Sequence, residues 1–163
     1  MHAKDVIRQT LHISHMVLTS YVNDLTDAEL LRRPGPGCNP VAWQLGHLIA
    51  SECGLMNSIR PGSAPELPAG FAERHGKAAA GSDDPAGFCT RQQYLELTEK
   101  VHAATLKLLD SYPESDFDLP APEQFRSRFP TMGSIFVLIA VHPLMHAGQI
   151  VPVRRALGKP VVI

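Results

Sequence analysis

Proline and glycine divide this chain before any other feature does. The cluster RPGPGCNP at 33–40 cannot lie inside a helix, because each proline fixes φ and withholds an amide donor while the glycines add backbone freedom. RPGSAPELPAGF (60–71), GKAAAGSDDPAGF (76–88), PESDFDLPAPEQFRSRFP (113–130) and the closing Gly158 and Pro160 interrupt it in the same way. Four long stretches remain, with apolar residues at helical steps of three, four and seven. No repeated alternation or Asn-Gly hairpin signal points to a sheet. The expectation is an all-α fold, a four-helix bundle with a long crossover between the second and third helices.

The first stretch, residues 4–25, carries Ile7, Leu11, Leu18, Tyr21 and Leu25 on one stripe. Thr26 then caps a short turn, TDAEL, with acidic residues at its positive end. Asn39-Pro40 reads as an N-cap followed by proline at the first helical position, opening a second long helix to about Ile59. The connection that follows is long for a compact domain and suggests a functional or lid-like crossover. Thr90 caps a third helix, striped by Tyr94, Leu97, Val101, Thr105 and Leu108, which stops before Tyr112-Pro113. The run IFVLIAV at 135–141 suits a buried strand or a helix. Its continuation through HPLMHAGQIVPVRRALG favours a fourth helix, capped by Thr131, running through Leu157 and stopped by Gly158.

At 163 residues the chain is expected to form one domain, 1–163. A net charge of -1 offers no basic field for a nucleic-acid backbone and no polybasic membrane patch. The longest apolar run is too short to span a bilayer, and the charged, histidine-bearing N-terminus does not read as a signal peptide. Three scattered cysteines, Cys38, Cys53 and Cys89, form no disulfide framework and suit a reducing cytoplasm.

Residues 142–150, HPLMHAGQI, hold the chemistry. Histidines four apart lie on one helix face, so His142 and His146 are either half a metal site or two histidines on one side of a helix. Imidazole suits zinc, nickel, copper or iron alike. Pro143 stands where a zincin would carry its general-base glutamate, which removes a simple metalloprotease reading. The same proline is expected to bend the helix. His47, in NPVAWQLGHLIASE on the second helix, is a possible third ligand or a hydrogen-bonded core histidine. Three neutral ligands would leave an ion its full charge and open positions, the catalytic arrangement.

Around these, Gln149 shares the face of His142 and His146, while Gln44 and Ser51 lie on that of His47, all three as ligand-orienting or substrate-contacting groups. Gly148 would admit a close helix approach. Glu52 and Cys53 are rotated away as packing or surface residues. His15 is a candidate proton shuttle or fourth ligand, or an edge-of-core histidine. His12 and His102 lack a matched partner, and His2 and His75 read as solvent groups. Arg154 and Arg155 would stabilise the end of the fourth helix or bind an anion. Trp43 and Phe136 are core. No general base is identifiable.

Asn39-Pro40 leading through Trp43 to Leu45-Gly46-His47, then His142-x-x-x-His146-x-Gly148-Gln149-Ile150 and Arg154-Arg155-Ala156-Leu157-Gly158-Lys159-Pro160, resembles the DinB-like superfamily of bacterial proteins over nearly the whole chain. The resemblance implies a four-helix bundle, often a homodimer, with a divalent metal, zinc or nickel foremost, held by His47, His142 and His146. The chain departs from many relatives at Pro143, where they carry an acidic residue, and at Ala147, where they carry a larger one. The resemblance further implies a small-molecule substrate and a metal-dependent transferase using a low-molecular-weight thiol cosubstrate such as bacillithiol or mycothiol, in stress or detoxification. A metal-dependent hydrolase and a non-catalytic metal- or ligand-binding stress protein are the alternatives.

Overall fold

The computed structural model describes residues 1–81 and 84–161. The loop expected at 76–88 therefore includes two residues, 82 and 83, outside the described set. Four long helices carry the fold: α1 (Ala3–Val22), α3 (Val41–Ile59), α5 (Arg91–Ser111) and α7 (Met132–Ala156). Three one-turn helices, α2 (Asp27–Leu30), α4 (Phe71–Arg74) and α6 (Glu123–Arg126), lie in the connections. No strand occurs among the described residues, only an isolated bridge between Pro120 and Thr131.

The helix starts follow local chemistry. Thr26, Thr90 and Thr131 each accept a hydrogen bond from the amide three residues on, and the side chain at that position reaches back to the cap amide. Two orphan donors are thereby satisfied at each start. The second long helix begins one residue later than expected. Pro40, extended at φ -63° and ψ 157°, is its cap. Asn39 instead accepts from the Gly81 amide through Oδ1 and from Gln44 Nε2 through its backbone oxygen. α7 continues as one helix through Pro143 and Pro152.

Contacts along the helices give their directions. Ala3 and Lys4 meet Glu114 and Asp110, whereas Asn23 meets Arg91, so α1 and α5 are antiparallel. Gly46 faces His75 beside Tyr94, Glu52 bonds Thr105, and Arg60 bonds Ser111, so α3 and α5 run parallel. Leu11 and Ser14 share a cavity wall with Ile139 and Pro143 while Tyr21 meets Arg154, so α1 and α7 are parallel too. The packed pairs are α1 with α7, α7 with α3, α3 with α5 and α5 with α1. The order is up-down-down-up, with α1 diagonal to α3. Parallel neighbours α3 and α5 need a segment that returns the length of the bundle, which is why the connection between them is long.

The core is one apolar cluster drawn from all four helices, including Leu11, Leu45, Met56, Tyr94, Leu109 and Phe136. α7 is apolar enough, by length and composition, to suit a membrane span; here it packs between α1 and α3. Arg154, expected to act at the helix end or on an anion, is 1% exposed. Its guanidinium donates to the Tyr21 and Pro160 carbonyls at 2.8 Å each and pairs with Asp24. It ties the ends of α1 and α7 together. Arg155 is exposed.

Candidate metal centre

α3 and α7 are antiparallel neighbours, and their contact brings His47 against His142 and His146. One nitrogen from each ring lies within 4.8 Å of the others, and no carboxylate or thiol joins the group among the described residues. That spacing is wider than the ~3.4 Å edge of a tetrahedron with bonds near 2.0–2.1 Å, so an ion must draw the rings slightly inward. His47 and His142 are half-buried and His146 is 8% exposed.

The surrounding groups prepare these rings as ligands. His146 Nδ1 lies 3.0 Å from Gln44 Oε1. The Gln44 amide nitrogen donates to the Asn39 carbonyl at 3.0 Å, so its oxygen must face the histidine. Nδ1 then carries the proton and Nε2 keeps its lone pair, the orienting bond typical of ligand histidines. The His47 ring bonds the backbone of His75, and Trp43 stacks on its face with centroids 4.8 Å apart and planes 5° from parallel. Burial holds His47 below the usual imidazole range against the opposing His75 bond; burial also brings His142 and His146 down to about 4, and for these two the neighbouring rings add to the effect. At neutral pH all three are uncharged and able to donate to a cation. The donor set therefore fits a divalent ion of borderline softness.

His75, read from sequence as a solvent group, is 0% exposed. Its Nδ1 lies 2.8 Å from the Phe71 carbonyl and its Nε2 lies 2.8 Å from the Tyr94 hydroxyl. The ring presses on Gly46, where an added Cβ would sit 2.0 Å from His75 Cδ2. The crossover is thus clamped onto α3 beside the candidate ligand His47. The GH dipeptide at 46–47 was the available signal: a glycine within a long buried helix marks a close approach.

Other expectations fare differently. Of the orienting candidates, Gln44 reaches His146, one of the three clustered histidines. Gln149 is exposed, Ser51 is half-buried without a recorded bond to the three histidines, and Gly148 has nothing within 4 Å of an added Cβ. His15 does not join the centre. It stacks on His102 and pairs with Glu99, because α1 packs on α5 and α7 and is diagonal to α3. His102, expected to stand without a partner, is buried in that contact. Trp43 and Phe136 are core as expected.

Glu52 turns its carboxyl into the bundle, where the Thr105 hydroxyl donates to it at 2.6 Å. Burial pushes this carboxyl from 4.5 up to about 7, with the Thr105 bond opposing. Between those pH values the folded chain holds a proton that the unfolded chain releases, so the stability linked to it is present below about 4.5 and lost as pH rises through about 7. Glu52→Gln is expected to exceed the parent in stability at pH 8 by on the order of 2 kcal/mol and to match it near pH 5. Thermal melts at the two pH values measure this; the same shift at both would sink the assignment.

The model of the DinB superfamily matches residues 10–150. A conserved protein from Enterococcus faecalis, known as a crystal structure, is similar with a TM-score of 0.72 and 18% identity, covering 98% of this chain and 99% of its own. YfiT from Bacillus subtilis, described as a probable metal-dependent hydrolase with an unusual four-helix bundle topology, gives a TM-score of 0.64 and 21% identity, covering 96% of this chain and 89% of its own. At these identities the likeness establishes the fold. No curated protein matches this chain.

Proposed function

This chain belongs to the DinB superfamily, and from that premise we propose that it is a metal-dependent enzyme whose ion is held by His47, His142 and His146. The observation that carries the reading is the convergence of three uncharged imidazoles from α3 and α7, with His146 fixed in one tautomer by Gln44. Such an ion supplies Lewis acidity and lowers the pKa of a water or thiol at its open position. Trp43 and the His75 backbone orient His47, and Gln44 orients His146.

We take the chemistry to be transfer of a low-molecular-weight thiol to an electrophilic small molecule. Among the described residues the three histidines are joined by no carboxylate in their ligand cluster. An ion held by His47, His142 and His146 would favour the thiolate form of a bound thiol, the proton passing to water. The second reading is hydrolysis by activated water, in line with the description that YfiT carries. The test uses protein loaded with zinc or nickel, an alkylating or epoxide electrophile, and added thiol. Turnover that needs both metal and thiol supports transfer. Turnover of activated esters or amides without thiol moves the assignment to hydrolysis, and equal turnover by His146→Ala overturns both.

A further inference from the structure

The bundle has a second histidine cluster, on the face opposite the centre just described. α3 and α7 supply that centre; α1 and α5 meet on the other side. Each of these two helices presents two ligand-type side chains one turn apart: His12 and His15 from α1, Glu99 and His102 from α5.

His102 Nε2 lies 3.4 Å from His12 Nδ1. That is long for a hydrogen bond, but it equals the ~3.4 Å between two nitrogens sharing a tetrahedral ion at 2.0–2.1 Å. The two ring planes stand at 68°, so nitrogens rather than ring faces converge. His15 lies flat on His102 at 4.1 Å and 14°, an arrangement in which the two rings cannot share one ion. Instead its Nε2 holds Glu99 Oε2 at 3.0 Å, the pairing that elsewhere orients a ligating carboxylate. The Glu99 side chain is 69% exposed and stands one turn before His102 on α5, so it must swing its other oxygen inward to join the pair. Burial, with His15 and His12 adding to it and Glu99 opposing, brings His102 down to about 4, so its lone pair is available at neutral pH.

We propose that His12 Nδ1, His102 Nε2 and Glu99 form a second divalent-metal site, with His15 orienting the carboxylate and water completing the coordination. Two imidazoles and a carboxylate suit zinc or nickel rather than magnesium or calcium. The site lies toward solvent, since His12 and Glu99 are exposed, and it shares no residue with the first centre.

The experiment is a zinc titration of metal-free protein, followed by calorimetry and by elemental analysis after equilibrium dialysis. The unaltered chain is expected to bind two equivalents. His12→Ala, an exposed position whose loss leaves the core intact, should weaken one of them by more than the roughly 10–100-fold that a lost outer partner costs. Glu99→Gln should weaken the same equivalent, and His146→Ala should spare it. Two equivalents bound unchanged by His12→Ala, or a single one that His146→Ala abolishes, would overturn the second site. Two equivalents retained by His146→Ala with one lost in His12→Ala would sustain it and refute the first centre instead.

Discussion

His146→Ala is expected to lose the ion at the α3–α7 centre, with affinity falling by more than about 100-fold, since it removes a ligand rather than an outer partner. His146 is the most buried of the three rings and the one whose tautomer Gln44 determines. Gln44→Leu keeps the ligand and removes the constraint, so its loss should be smaller, roughly 10–100-fold. Elemental analysis and competition with a chromophoric chelator measure both. The fold should survive in either variant, because an apolar cluster drawn from all four helices holds them together. Chelation of the parent is likewise expected to leave its helical circular dichroism intact. Full metal content at this centre in His146→Ala would rule the site out, and unfolding on chelation would make its role structural.

Gly46→Ala is expected to destabilise the protein by about 3 kcal/mol or more, at the upper end for an overpacked interior. The new methyl would sit 2.0 Å from a ring that is 0% exposed and bonded at both nitrogens. The ring cannot turn aside without giving up the Phe71 carbonyl or the Tyr94 hydroxyl, so α3 and the crossover must separate. Because the His75 backbone also holds the His47 ring, the same substitution should weaken metal binding as an outer partner would. Gly54→Ala on the same helix serves as the control, having nothing within 4 Å. Denaturant unfolding and zinc affinity of the two variants give the comparison. Equal stability would mean that the clamp at Gly46 does not exist.

These two sites differ in how far the residues revealed them. His142 and His146 are visible as a pair because helical periodicity is local, but nothing local joins them to His47, which lies about 100 positions earlier. The resemblance to a family supplied that link. Gln44 was identifiable from its spacing to His47, whereas Gln149 had the right spacing to His142 and lies in solvent. Spacing names a helix face and leaves open whether a neighbour covers it. His75 was misread because it sits in a glycine-rich connection, where surface is the ordinary expectation. His12 and His102 looked unmatched because the partner of each is on a helix 90 residues away.

What the residues alone determined was the four long helices and, to within a few residues, their ends. Thr26, Thr90 and Thr131 cap through hydrogen bonds to their own next turn, and the clusters of proline and glycine between the long stretches end them, although single prolines at 143 and 152 do not interrupt α7. They also determined which face of each helix is apolar. Tertiary structure decided which apolar face meets which. Burial of apolar surface is non-directional, so the stripes on α1 and α3 could equally have faced each other. Only the packed up-down-down-up order makes them diagonal, gathers three histidines on one side of the bundle and four further polar groups on the other, and folds the crossover back until His75 rests on Gly46.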